Sequence, residues 1–228
     1  MIKNVEYVCN NYKNLDDENN YLCFYSLLLL SQFHCAESHE IICRLMKIPC
    51  DIKNDYLEII LGDVLMSNMQ KILANTCNGD LKYIKSIIEC GAANIYHKGI
   101  ALESLTILAI SNIVPRTAII DYLKLLLENN KSYFDKKPRS ARRFYDSRYG
   151  LLSDDNLLLN GYIIGECYDL CATELLPLIK QIFKENMVDK GYVFFEEKMI
   201  QPDQLWIDKN INYTNNIIEI LESWGAFF

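Results

Sequence analysis

The chain has 228 residues, half of them hydrophobic and 23% charged, which excludes intrinsic disorder and fibrous structure and is enough for a sizeable core. Thirty acidic against 23 basic side chains give a net charge of -7, so the molecule as a whole repels phosphate, and binding to nucleic acid or an anionic membrane requires a local basic patch. The N-terminal residues carry no signal-peptide pattern, and the most apolar short run, 27–30, falls far below the roughly 18 residues of a membrane span. The expectation is a cytoplasmic protein with no membrane partner, in which nine cysteines act as small buried hydrophobes rather than disulfides.

Helical periodicity dominates between sparse turns. Residues 21–48 form the first clear unit: 21–32 (YLCFYSLLLLSQ) are apolar nearly all round and predict a helix sandwiched between neighbours, with 37–47 as an amphipathic partner outside it. A second pair lies near 55–91, with Asn78-Gly79-Asp80 as the turn before a helix over 81–90 and Gly91 as its C-cap. Its words GDLKYIKSIIECGA are similar to an ankyrin helix, but no Thr-Pro-Leu-His segment follows. In the third pair, 95–130, an all-round apolar stretch over 100–110 precedes a helix started by Pro115. The stripe of that helix is Ile119, Tyr122, Leu123, Leu126 and Leu127, and its stop is Asn129-Asn130. The fourth pair, 153–187, repeats the plan, with 157–170 inside. Thr173 then caps an outer helix that tolerates Pro177 near its start and has its stripe at Leu175, Leu178, Ile179, Ile182 and Phe183. From 188 to 228 the pattern weakens into Gly191-Tyr-Val-Phe-Phe and two helices near 202–208 and 213–224, which reads as a capping segment. Units of this design cannot bury their apolar faces alone and must stack. The prediction is an all-α, HEAT-like helical-repeat solenoid, a right-handed α-α superhelix, forming a single domain over 1–228.

The words FYSLLLLSQF (24–33), Ile60-Leu61-Gly62-Asp63, Asn78-Gly79-Asp80, KGIALESLTIL (98–108), Asp169-Leu170 through Pro177-Leu178-Ile179, Val188-Asp189-Lys190-Gly191 and the ending WGAFF follow one another in a telling order. With them the chain resembles a bacterial HEAT-like helical family catalogued as domain of unknown function eleven-eighty-six. The resemblance spans most of the chain, from about Tyr21 onward, and implies a helical-repeat fold. Some relatives continue into a cysteine-rich zinc motif similar to that at the end of the SecA translocase. This sequence has no such motif, so the resemblance brings neither zinc nor a catalytic residue.

His34, Cys35, His39 and Cys43 have the residue types of a metal site, and His39-Glu40-Ile41-Ile42-Cys43 approaches the HExxH motif but lacks its second histidine. Cys35, His39 and Cys43 recur every four residues, so on a helix their ends stand about 12 Å apart, too far for one zinc. Packing is the expected role of these three, as it is for Cys167 and Cys171, and no cofactor or metal is expected. The chain has no nucleophile elbow, dinucleotide fingerprint or Walker loop. Glu103, Glu166 and Asp169 lie in strongly apolar helices. There a carboxylate must be paired, protonated or turned to a groove, and most such cases are structural.

The sharpest local feature is KSYFDKKPRSARRFYDSRY over 131–149, read as a long connection. Seven basic and two acidic residues give it a charge of +5, leaving -12 for the rest of the chain. Tyr133, Phe134, Phe144, Tyr145 and Tyr149 interleave with the cations, a composition suited to base stacking or to an acidic protein surface. Arg139, Arg142, Arg143, Tyr145 and Arg148 are the candidate binding residues. The expected function is a non-catalytic scaffold or adaptor with a protein partner, in its sharper form masking a basic partner as an immunity-type protein does. The alternatives are nucleic-acid binding through 131–149, or a hydrolase-type site near Glu166 and Asp169.

Overall fold

The computed structural model describes residues 1–49, 56–136 and 155–195. Among them the regular structure is helical throughout, with ten α-helices and two short 3-10 turns. The chain divides into two compact units, Met1–Ser111 with Ile211–Phe228 and Asn112–Asn210, and each is described by itself.

The first unit holds α1 (Ile2–Asn11), α2 (Asp17–Gln32), α3 (His39–Leu45), α4 (Tyr56–Met66), α5 (Met69–Thr76), α6 (Lys82–Ile88) and α7 (Ile95–Ile110). Short polar side chains set several of the helix starts. Asp16 Oδ1 accepts from Asn19 N at 2.9 Å, Asp80 Oδ1 from Lys82 N at 2.9 Å, and Asn94 Oδ1 from Tyr96 N at 3.0 Å. These caps begin α2 and α7 a turn or more earlier than the apolar runs alone suggest. The helices pack in two rows: α2, α5 and α7 follow one another in one, α1, α3 and α6 in the other, with α1 against α2, α3 against α5 and α6 against α7. Fully buried Val5, Leu27, Ile42, Leu45, Leu73, Ile84, Leu102 and Leu105 fill the space between the rows.

Two glycines differ in what the backbone asks of them. Gly62 interrupts α4 at φ 66°, ψ 166°, a conformation open to glycine and strained for every other residue, so the Ile60-Leu61-Gly62-Asp63 word marks a break rather than a continuous helix. Gly91 is not left-handed: among the described glycines only Gly62 and Gly79 have positive φ, and α6 closes instead on Glu89 in an ordinary right-handed turn.

The second unit holds α8 (Arg116–Asp135), α9 (Asp155–Asp169) and α10 (Leu176–Lys184), with a 3-10 turn at Thr173–Leu175 leading into α10. Pro115 precedes α8, and Pro177 sits in the first turn of α10, both as the spacing predicts. The expected stop at Asn129-Asn130 is a misreading, because α8 runs through both to Asp135. Three contacts carry it on: Asn130 Nδ2 donates to Asn160 Oδ1 at 2.8 Å, Phe134 continues the stripe into the core with no exposed surface, and Lys131 pairs with Asp135 at 2.8 Å one turn on. Thr173 lies inside the 3-10 turn and does not cap.

The segment after α10 is pinned along α9. Buried Asn160 donates to Met187 O at 2.6 Å, and Asp189 N donates to Leu157 O at 3.1 Å. Asp189 Oδ1 accepts from Gly191 N at 2.8 Å, closing a turn, and Tyr168 OH donates to Phe194 O at 2.9 Å. A Cβ on Gly161 would lie 2.9 Å from Tyr192 Cδ1, so glycine lets that ring lie against the helix. The Val188-Asp189-Lys190-Gly191 word is therefore a docking turn. The helices expected near 202–208 and 213–224 fall outside the described residues.

Candidate functional site

Arg139, Arg142, Arg143, Tyr145 and Arg148 all lie outside the described residues. Of 131–149 only the first part is described, and it belongs to α8. Phe134, expected among the interleaved aromatics of a connection, is instead a core side chain, while Tyr133 is 37% exposed beside it. No basic aromatic platform therefore begins before Lys136.

Of the histidine and cysteine cluster, His34 and Cys35 lie before α3, which begins at His39, while His39 and Cys43 meet on it. His34 is exposed with its Nδ1 3.1 Å from Asn75 O, and Cys35 donates to Glu37 Oε2 at 3.5 Å. His39 and Cys43 turn inward, one turn apart on α3. Cys43 Sγ lies 3.6 Å from His39 Nε2, and His39 Nδ1 lies 3.1 Å from Thr76 Oγ1 at the end of α5. Thr76 donates its own proton to Ile72 O at 2.9 Å, so its oxygen accepts from His39. Nδ1 therefore carries the imidazole proton and Nε2 accepts from the thiol, a single-direction chain of Cys43, His39, Thr76 and Ile72 in which every member is neutral. Burial holds this state: it lowers the His39 pKa to about 4, against a small opposing pull from Asp80, and pushes the Cys43 thiol far up. The Tyr83 ring stands edge-on to His39 at 6.2 Å. A Cys–His pair in this condition is not an activated nucleophile, because thiolate and imidazolium are both disfavoured.

Three other buried thiols follow the same rule. Burial raises Cys9 to about 11 and Cys23 to about 12, and Cys167 further still. Among the described residues no group of three or more His, Cys, Asp or Glu could hold a metal ion.

Glu166 and Asp169, three residues apart on α9, stand on one side of the helix, Glu166 buried and Asp169 more exposed at the last residue. Apolar surroundings raise the Asp169 carboxyl pKa. Beside them Arg116, at the start of α8, holds the end of α9. Its Nε donates to Leu170 O at 2.8 Å and its Nη2 to Cys171 O at 2.7 Å, while Nη1 and Nη2 reach the two Glu174 oxygens at 2.8 and 3.3 Å. That fork lowers the Glu174 pKa and ties Arg116 to the end of a helix. Glu103 is exposed and accepts from Gln70 Nε2 at 3.2 Å.

One surface was not foreseen. The sandwiched helix expected over 21–32 is covered on about two-thirds of its circumference: Cys23, Ser26, Leu27, Leu28, Leu30 and Ser31 are buried. Its outer face is open, with Tyr21 65%, Leu22 45%, Tyr25 48%, Leu29 39% and Phe33 66% exposed. An all-round apolar sequence signals the need for cover but not the number of neighbours that supply it.

Three of the residue words sit at defined structural positions: Gly62 at a helix break, Asp80 in the turn before α6, and the Asp189–Gly191 turn against α9. A protein family described as "Protein of unknown function (DUF1186)" matches residues 1–228 in full. The chain belongs to this family. Relatives include an uncharacterised protein of Chlamydia muridarum, 26% identical over 198 residues that cover 86% of this chain and 69% of the relative. Another, from Chlamydia trachomatis, is 24% identical over 232 residues, covering 98% of this chain and 82% of its own. No solved structure matches. Among the described residues of this DUF1186 member, no helix is long and apolar enough to cross a membrane.

Proposed function

We propose that this DUF1186 member is a non-catalytic, HEAT-like helical-repeat scaffold that works in the cytoplasm by binding another protein. The observation that carries the reading is the two-row packing of Met1–Ser111, since stacked helix pairs present long continuous surfaces suited to protein recognition. The state of the chemically capable groups supports the non-catalytic half: the His39–Cys43 pair is buried and neutral, Arg116 is committed to a helix end, and Glu166 is buried while Asp169 is exposed. The net charge of -7 favours a basic partner, whose charge the acidic body would mask. Arg139, Arg142, Arg143, Tyr145 and Arg148 supply the second contact, to an acidic patch on the same partner.

The test is affinity capture from the native lysate with the intact chain beside a variant carrying Arg139→Ala, Arg142→Ala, Arg143→Ala and Arg148→Ala, followed by mass spectrometry. A discrete protein held by the intact chain and lost from the variant is the expected result. A partner held equally by both refutes the role of the arginines, and capture of nothing specific refutes the scaffold. Nucleic acid retained at low salt and released as salt rises would replace the protein partner with the phosphate reading.

A further inference from the structure

We propose that the open face of α2 is the contact between two copies of this chain, packed antiparallel about a twofold axis at Tyr25. Tyr21, Leu22, Tyr25, Leu29 and Phe33 are each between 39% and 66% exposed, and with Glu18 and Gln32 they occupy one arc of about a third of the helix. The five apolar side chains present on the order of 500 Å², at the upper end of what monomeric proteins leave in contact with water. A standard interface buries about 800 Å² on each partner, so this patch with its polar rim is of the size a stable dimer uses.

The sequence of the arc selects the occupant. From Tyr21 to Phe33 there is no charged side chain, so nothing along it recognises a basic or an acidic partner by sign. A self-contact needs only a patch complementary to itself under a twofold rotation. The ladder Tyr21, Tyr25, Leu29 has that symmetry, with steps of four residues on either side of Tyr25. In an antiparallel pair Tyr25 meets Tyr25 of the partner subunit, Tyr21 meets Leu29 of the partner subunit, and Glu18 meets Gln32 of the partner subunit, whose amide can donate to the carboxylate. A parallel pair would bring Asp16, Asp17 and Glu18 of both copies to one end, where like charges repel. The antiparallel pair separates them and opposes the helix dipoles.

The test is sedimentation velocity of the purified intact chain, in reductant, from about 1 to 100 µM. Twice the 26.5 kDa of one chain is expected at the upper concentrations. Leu29→Glu should raise the dissociation constant about 100-fold or more, whereas Tyr7→Glu, at a 47% exposed position on α1 off this arc, should leave the dimer intact. A Tyr25→Cys variant should cross-link to a dimer under mild oxidation, because a residue on the axis faces its own copy, while Tyr7→Cys should not. This second assay decides the matter where Leu29→Glu disturbs folding by circular dichroism. A monomer across the whole range, a dimer indifferent to Leu29→Glu in a folded protein, or equal cross-linking at positions 7 and 25 overturns the proposal. The measurement uses pure protein, so its failure leaves the scaffold reading to its own capture experiment.

Discussion

Acid should weaken this fold through His39, and the size of the effect follows from its burial. The folded pKa is about 4 against an ordinary 6.5, since only 4% of the side chain meets solvent and both ring nitrogens are engaged within α3 and α5. Above pH 6.5 the imidazole is neutral in folded and unfolded chains, and its bonds contribute fully. Between 6.5 and about 4 the unfolded chain takes up a proton that the folded chain refuses, so stability falls by about 1.4 kcal/mol per pH unit and by roughly 3 kcal/mol across the window. Other groups titrate there too, so the informative quantity is a difference. Urea unfolding of the intact protein and of His39→Gln at about pH 7, 6 and 5 should show the variant weaker by about 1–2 kcal/mol near neutrality, with that gap closing by about 2 kcal/mol at the acid end. Parallel loss in both proteins would refute the assignment of a neutral, buried His39.

Five further substitutions test the packing of the second unit. Asn160→Ala removes a buried amide bonded to Met187 O and Asn130, and should cost about 2–3 kcal/mol of unfolding free energy in urea. Phe134→Ala should cost about 3–5 kcal/mol and its exposed neighbour Tyr133→Ala less than about 1 kcal/mol; equal losses would show that α8 does not reach the core beyond Asn130. Arg116→Lys keeps the charge but loses the fork onto Leu170 and Cys171. It should lower the unfolding free energy by about 1–2 kcal/mol, while Glu174→Gln, which breaks only the half-exposed ion pair, should cost less than about 1 kcal/mol.

Helix identity and order were legible because periodicity is a local signal: the stripes of α8 and α10 and the proline starts are where the spacing puts them. What local signal lacks is the partner. Asn130 reads as a stop from its own chemistry, but Asn160, thirty residues on, accepts its amide proton and the helix continues. Likewise the spacing of His39 and Cys43 gave no sign of Thr76, which is 37 residues away from His39 and completes their hydrogen bonds. Arg116 has no motif at all, since its role depends on the carbonyls that close α9. The apolar run over 21–32 announced burial on every side, and the count of neighbours around α2 belongs to tertiary packing alone.

The raised thiols of the core carry a last consequence, for how this protein ages. An ordinary cysteine near 8.5 is a few per cent ionised at neutral pH, whereas one held at about 11, as Cys9 is, is ionised in about one molecule in ten thousand. Peroxide and disulfide exchange attack the thiolate, so in the native protein the buried sulfurs are nearly inert. Unfolding returns Cys9, Cys23, Cys43, Cys77 and Cys167 to their ordinary acidity at once. Oxidation of these buried sulfurs therefore accumulates in proportion to the time each molecule spends unfolded, and their oxidised fraction is a running record of lapses in folding.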